Sequence, residues 1–161
     1  ASPHVVLDMD SNTWMAADAV VIPDGTDRFW AAWGGYSSHD STYLRRFRAD
    51  GSSDMSAALS LAGSPSRCVR IDNHGDGGLV AVWRHCDGWD CDRGPQVGAI
   101  LNAGGQHIGG IPGDALGAGT TRRMPDIAAF EDGGYVIVAN DSARDNERRR
   151  ALLDDNDSPP A

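Results

Sequence analysis

Short apolar runs alternate with turn residues along most of the chain, and this pattern predicts β-strands joined by tight turns. Strand-like runs flank an Asp-Gly pair at three places, Asp24-Gly25, Asp76-Gly77 and Asp132-Gly133. Asp-Gly between two such runs is a strong hairpin signal, because glycine readily adopts the left-handed backbone that a tight turn requires. No long segment has the 3.6-residue period of an amphipathic helix. The pattern therefore predicts an all-β fold.

The three Asp-Gly pairs also indicate an internal repeat. They begin at positions 24, 76 and 132, so the steps between them are 52 and 56 residues. A self-similar period of this size is typical of solenoids and propellers. We expect one domain over residues 1–161, with repeats at about 18–68, 69–123 and 124–157. The first turn is predicted to be two residues longer than the others, because Thr26-Asp27 follows its Asp-Gly pair.

Each repeat divides into up to four predicted strands. The first strands are 18–23, 69–73 and 126–130, and the second strands are 28–33, 79–83 and 135–139. Third strands are predicted within 43–51, 97–105 and 150–157, and weak fourth strands near 58–61 and 107–111. The third repeat has no fourth strand, whereas a spare strand-like segment lies at 4–9. That segment either packs on a sheet edge or completes the last sheet, and we favour the second interpretation because the missing and spare pieces match.

Composition limits the class of partner. The chain has 161 residues, is 40% hydrophobic and carries a formal net charge of −9. A surface of this sign repels phosphate backbones, so we expect no nucleic-acid partner. No apolar run approaches the about 20 residues needed to span a bilayer, so we expect no membrane partner. The opening Ala1-Ser2-Pro3 resembles the mature terminus left after removal of an export signal, although an arbitrary chain boundary would look the same.

The three cysteines favour a secreted protein. Cys86 and Cys91 enclose a short polar loop, and a disulfide between them is the simplest interpretation. A zinc site with two thiolates and His74, His85 or His107 is the alternative, but the ligands have no regular spacing. Cys68 is then left over, either as a buried thiol or in a disulfide between chains.

The third repeat resembles a repeat of secreted bacterial β-propellers. It has the sequence Pro-Asp-Ile-Ala-Ala-Phe-Glu-Asp-Gly-Gly-Tyr-Val-Ile-Val at 125–138, and the second repeat matches it at 76–83, from Asp-Gly-Gly to Trp83. The first repeat matches more loosely, ending in Trp30-Ala-Ala-Trp33, and the third has Ala139 where the others have Trp33 and Trp83. The resemblance implies three four-stranded β-propeller blades in this chain.

Three blades do not close a ring, because propellers typically have four to eight. The open edges and apolar faces would have to be covered by further blades. A second copy of this chain would complete a six-bladed ring, and a homodimer is the commonest oligomer. The alternative is a different partner chain, such as the other half of a cleaved precursor.

The candidate binding residues lie in the loops that follow the second strands, because these loops are expected to cluster at one rim. They combine aromatic, acidic, amide and basic side chains: Tyr36, His39, Asp40, His85, Asp87, Trp89, Asp90, Asp92, Asn140, Asp141, Arg144 and Asp145. Aromatic faces stack on sugar rings and carboxylates accept hydrogen bonds from hydroxyls, so the mixture suits carbohydrate. The plainer interpretation is a set of solvated turn residues. Trp89 lies between the two cysteines and is the best single recognition residue, whereas Trp30, Trp33 and Trp83 are expected in the core.

Metal and catalytic motifs are weaker. Asp8, Asp10 and Asn12 alternate oxygen ligands as a Ca²⁺ loop does, but the central glycine and the terminal bidentate acid are missing; residues 154–157 are a second acidic candidate. We expect no other cofactor. No nucleophile elbow, zinc-protease motif or phosphate loop is present. The sequence therefore favours a secreted, lectin-like module that binds carbohydrate or another polar ligand. The alternatives are an extracellular hydrolase, or half of one, with its site on the propeller axis, and a protein-interaction module.

Overall fold

The computed structural model describes residues 17–25, 27–34, 42–62, 66–86, 95–111, 125–140 and 148–153. Within these ranges the chain forms eleven β-strands and a 3-10 turn at Gly75–Gly77, so the all-β prediction is confirmed. No helix in the same ranges is long and apolar enough to cross a membrane. The predicted strand at 4–9 lies outside the described residues.

The strands form three separate antiparallel sheets, each built from consecutive segments of chain. The first sheet contains β1 (Ala17–Asp24), β2 (Arg28–Gly34), β3 (Thr42–Arg48) and β4 (Leu59–Ser60). The second contains β5 (Ser66–His74), β6 (Gly78–His85), β7 (Gln96–Leu101) and β8 (His107–Ile111). The third contains β9 (Asp126–Ala129), β10 (Tyr135–Asn140) and β11 (Arg148–Leu153). Neighbours in each sheet are neighbours in the chain, as tight turns between successive strands favour.

The hairpin that opens each sheet has the same length in all three sheets. The pairs Pro23↔Phe29, Asn73↔Leu79 and Ala129↔Tyr135 each enclose five residues, 24–28, 74–78 and 130–134. The prediction of a longer first turn is therefore wrong. Strand pairing, and not the position of the Asp-Gly pair, sets the length of each turn. The first Asp-Gly pair consequently lies two positions earlier in its turn than the other two pairs lie in theirs. The left-handed glycine accordingly sits early in the first turn (Gly25, φ 77°) and late in the second and third (Gly77, φ 75°, and Gly133, φ 94°).

The sheets pack face to face in a constant order. One face of the first sheet, with Trp30, Ala32 and Leu44, packs against the face of the second sheet that carries Leu79 and Ala81. Successive residues of a strand point to opposite faces. The other face of the second sheet therefore carries the alternate residues of β6, Val80 and Val82. These pack on Tyr135 and Ile137 of the third sheet. β5 lies between β1 and β9 and contacts both.

Burial of large apolar side chains between the sheets supplies the stabilising free energy. Trp30, Leu44 and Leu79 are completely inaccessible to solvent, and Leu101 is nearly so. Fully burying a side chain of this kind stabilises the fold by about 1.5–3 kcal/mol. Trp33 and Trp83 are each 5% exposed. The three tryptophans predicted for the core are therefore confirmed there and are not available to a ligand.

The remaining face of the first sheet is aromatic. Phe29 stacks on Phe47 with ring centroids 5.5 Å apart, and Trp33 stacks on Tyr43 at 5.9 Å. The guanidinium of Arg45 lies 5.6 Å from the centroid of the Phe47 ring. This face occupies the same position in the first sheet as the face with Leu79 and Ala81 does in the second, and Ala31, Trp33 and Phe47 on it are nearly inaccessible to solvent.

Candidate functional site

The turns of the three opening hairpins meet at one end of the sheets and form a cleft. The cleft has a volume of about 400 Å³ and is lined by residues of all three sheets. Its side chains come from the first turn (Asp24), from the end of β5 (Asp72 and His74) and from the third turn (Phe130 and Glu131). The cleft therefore exists because the three hairpins have equal length and end at the same level.

Glycine allows the second and third turns to approach each other closely. A β-carbon at Gly75 would lie 3.1 Å from both the carbonyl oxygen of Glu131 and the amide nitrogen of Gly133. Such distances are shorter than ordinary van der Waals contact, so a side chain at this position would push the turns apart. His74, next to Gly75, has its ring centroid 6.2 Å from that of Tyr135. The floor of the cleft is therefore a packed contact between two turns.

The charged side chains that line the cleft are acidic. Among the described residues at its walls, Asp24, Asp72 and Glu131 carry carboxylates and none is a lysine or arginine. Asp24 is partly neutralised, because its Oδ2 atom lies 3.7 Å from Arg28 Nε and 3.6 Å from Arg46 Nη1. Glu131 is exposed to solvent. The cleft consequently offers hydrogen-bond acceptors and a negative potential, which disfavours anionic ligands.

Phe130 gives the cleft an apolar wall. Its side chain is 48% exposed, although its backbone is held in a closed turn. Its amide donates to the carbonyl of Gly134 at 2.7 Å, and its carbonyl accepts from the amide of Gly133 at 3.1 Å. An aromatic ring on a fixed turn beside polar groups is a good surface for a ligand with both polar and apolar faces.

The candidate residues predicted for the rim are placed only in part by the structure. His85 ends β6 and is half-buried, and Asn140 ends β10. β6 and β10 begin at the opening hairpins, so these two residues lie at the opposite end of the strands from the cleft. The other predicted rim residues fall outside the described ranges: Tyr36, His39, Asp40, Asp87, Trp89, Asp90, Asp92, Asp141, Arg144 and Asp145. The rim therefore stays a prediction.

The metal and disulfide predictions are likewise untested at most of their residues. Asp8, Asp10 and Asn12 lie outside the described residues, as do Cys91 and residues 154–157. In the part of the chain that is described, no three His, Cys, Asp or Glu side chains form a group able to hold a metal ion. Cys68 is buried and forms no disulfide within the described part of this chain, and its pairing between chains stays a prediction. Cys86 is buried, 2% exposed, and its pairing with Cys91 stays a prediction.

Sequence reasoning missed the cleft because it treated the Asp-Gly hairpins only as turn markers. One signal was available in the first strands. The two residues that precede the turn residues are Ile22-Pro23 in the first repeat and Ala128-Ala129 in the third, but Asp72-Asn73 in the second. Two consecutive polar residues at a position that is apolar in both other repeats indicate a specific role. Comparison with protein-family models, curated proteins and solved structures found no match to this chain.

Proposed function

We propose that this protein is a β-propeller module that binds a neutral, hydroxyl-rich ligand of the carbohydrate class, without chemistry, in the cleft between its opening hairpins. The observation that carries the proposal is the combination of acceptor groups and an exposed aromatic ring in one cleft of about 400 Å³. Asp24, His74 and Glu131 supply acceptors for hydroxyl groups, and Phe130 supplies a stacking surface.

The order of the sheets supports the propeller architecture. The second sheet presents one face to the first sheet and the other to the third sheet. The innermost strands β1, β5 and β9 are also the first in each sheet and lie side by side. Radial repetition of such sheets is the arrangement of propeller blades. Further blades, from a second copy or from a different chain, would complete the ring.

The loops after the second strands are a second proposed location for the same kind of ligand. They carry Trp89 and the other candidate residues that the sequence predicts for a rim. A Cys86–Cys91 disulfide in one of these loops would persist in a protein that works outside the cell.

A glycan array with neutral, amino and acidic saccharides tests the proposal, and two variants separate the two locations. Phe130→Ala removes the aromatic wall of the cleft. We expect it to weaken binding to the neutral saccharides by roughly 2–10-fold, since an aromatic stacking contact contributes about 0.5–1.5 kcal/mol. Trp89→Ala is the matched control in the loop predicted for the other rim and should leave cleft binding unchanged.

The two variants also define the results that would reject the proposal. Loss of binding in Trp89→Ala with unchanged binding in Phe130→Ala would place the site at the rim and overturn the cleft. Absence of saccharide binding by the native protein would overturn the function itself.

A further inference from the structure

Asp72 and Asn73 connect the central sheet to both of its neighbours at the floor of the cleft. They are consecutive residues near the end of β5, so their side chains point to opposite faces of the strand. Asn73 reaches the first sheet, where its Nδ2 atom donates to the carbonyl oxygen of Pro23 at 2.9 Å. Asp72 reaches the third sheet, where its Oδ2 atom accepts from the amide of Ala129 at 2.7 Å.

The two backbone groups that these side chains bind are edge groups. β1 and β9 each lie at an edge of their sheet, so the outward-facing amides and carbonyls of these strands have no partner within the sheet. Pro23 and Ala129 occupy the same register position, opposite Phe29 and Tyr135 of the second strands. The Asp72-Asn73 pair of β5 therefore supplies hydrogen-bond partners to backbone groups at equivalent positions of the edge strands β1 and β9.

The Asp72 carboxylate is also fixed from its own strand. Its Oδ1 atom accepts from the amide of Asn73 at 2.8 Å, so both of its oxygens hold backbone N–H groups. Hydrogen bonds to a carboxylate are about twice as strong as neutral ones. The matching residues of the other sheets, Ile22-Pro23 and Ala128-Ala129, have no polar side chains and cannot form such links. The connection is thus specific to the central sheet.

We propose that Asp72 and Asn73 are positioning residues that hold the three hairpin turns at a fixed spacing and keep the cleft open before a ligand binds. The inference rests on the proposed function, because its effect on affinity requires that a ligand binds in the cleft. A preformed cleft binds a ligand more tightly than a cleft whose turns must be ordered on binding. The side-chain atoms of the pair that form these links already have protein partners, so the pair acts on the ligand through the turns that carry Asp24, Phe130 and Glu131.

The experiment compares Asp72→Ala, Asp72→Asn and Asn73→Ala with Asp50→Ala. Asp50 is the matched control, because its Oδ1 atom also accepts a backbone amide, that of Ser52 at 2.8 Å, but within a single turn of the first sheet. Two quantities are measured for every variant: hydrogen exchange of the Ala129 amide by NMR, and the affinity for cellohexaose and chitohexaose by titration calorimetry.

We expect Asp72→Ala to accelerate exchange at Ala129 by about 10-fold or more, since a hydrogen bond to a charged group contributes roughly 1.5–3 kcal/mol. Asp72→Asn keeps a neutral acceptor of the same shape, so the exchange rate of its Ala129 amide should lie between those of Asp72→Ala and the native protein. Among the native protein and the two Asp72 variants, the affinity for the oligosaccharides should fall as exchange of the Ala129 amide becomes faster. Asn73→Ala should weaken binding while leaving exchange at Ala129 unchanged, and Asp50→Ala should alter neither quantity.

Unchanged exchange at Ala129 in Asp72→Ala would overturn the inference, as would affinities of the Asp72 variants that do not follow their exchange rates. If Asp72→Ala does not fold, Asp72→Asn carries the same comparison. If the native protein binds neither oligosaccharide, the proposed function fails, while the exchange rates still decide whether the pair holds the hairpins together.

Discussion

At the residue scale, Asp50 shows how hydrogen bonds within one exposed turn lower the pKa of a carboxyl group. The side chain and the backbone amide of Ser52 bind the Asp50 carboxylate, and Arg48 adds a favourable charge; together they lower the pKa of Asp50 below its usual value. A carboxyl whose pKa is lower in the folded state stabilises the fold above its unfolded-state pKa. This contribution is lost as the pH falls through the folded-state pKa.

Ser52→Ala should therefore raise the pKa of Asp50 towards the ordinary value. The Ser52 hydroxyl is the largest cause of the lowered pKa, while the backbone amide and Arg48 remain in the variant. Titration of the Asp50 carboxyl carbon by NMR measures the shift. Ser60→Ala is the control, because the Ser60 hydroxyl donates to the carbonyl of Ala62 and does not contact Asp50. An Asp50 titration that is identical in the native protein and in Ser52→Ala would contradict the prediction.

Glu131 should determine how strongly the cleft rejects acidic saccharides. It is the exposed carboxylate of the third turn and contributes to the negative potential of the cleft. Replacement by glutamine removes one like-charge repulsion, which is worth about 1 kcal/mol at 4 Å in water. We expect Glu131→Gln to bind oligogalacturonate roughly fivefold more tightly than the native protein at low salt, with little change for cellohexaose.

Calorimetry at low and high ionic strength measures this effect, because salt screens an exposed charge. Asp50→Asn is the matched control: it changes the net charge by the same amount in a different turn of the molecule. An equal gain in Asp50→Asn would show that overall charge, and not the Glu131 position, governs selectivity.

At the scale of the elements, two glycines with the same backbone conformation have different surroundings. Gly25 and Gly105 both have φ of 77°. A β-carbon at Gly25 would meet no atom within 4 Å, whereas one at Gly105 would lie 2.6 Å from Leu59 Cδ1 and 3.2 Å from Trp30 Cη2. The first turn thus requires glycine for its backbone alone, and the turn after β7 requires it also for packing between sheets.

Gly25→Ala should cost about 1–2 kcal/mol of unfolding free energy, the usual penalty for a left-handed alanine. Gly105→Ala should cost at least about 1 kcal/mol more, because Leu59 must move and the Trp30 ring has little room to do so. Urea unfolding of both variants measures the difference. Equal losses would show that Leu59 and Trp30 adapt without cost, contrary to the close packing of this contact.

The strands were predictable from sequence because their apolar runs and turn residues are unambiguous. The predicted segment at 107–111 is observed as β8, and β10 extends the predicted strand at 135–139 by one residue. The length of the first turn was not predictable from the Asp-Gly pairs, because cross-strand pairing from Pro23 to Phe29 overrides a local turn signal. The cleft was not predictable either, since it depends on three hairpins that are distant in sequence and meet only after the sheets have packed.

At the scale of the whole molecule, the central sheet determines how the three sheets are assembled. It supplies apolar faces to both neighbours and polar side chains to both of their edges. The apolar contacts provide most of the stabilising free energy, because they remove large side chains from water. The hydrogen bonds of Asp72 and Asn73 contribute less free energy but fix the spacing of the turns. Stability and site geometry therefore depend on different residues of the same strand.

The constant face order leaves the far face of the third sheet as the place where a ring would continue. Val136 and Val138 lie on this face of β10, opposite the residues that pack on the second sheet, and Val138 is 39% exposed. On the first sheet the corresponding outer face is nearly inaccessible at Ala31, Trp33 and Phe47. Val138 is therefore the accessible position at which ring completion can be tested.

If a second copy of the chain completes the ring, the native particle should have about twice the 17.1 kDa mass of one chain. Val138→Arg would then place a charge in the contact between copies and shift the particle towards the monomer, because an unpaired buried charge is strongly destabilising. Light scattering measures both masses. Ile108→Arg is the matched control: Ile108 is an apolar residue that is 63% exposed on the outermost strand of the second sheet, outside the inferred contact. A native mass of 17.1 kDa would contradict the two-copy ring, and dissociation by Ile108→Arg but not by Val138→Arg would move the contact to a different face.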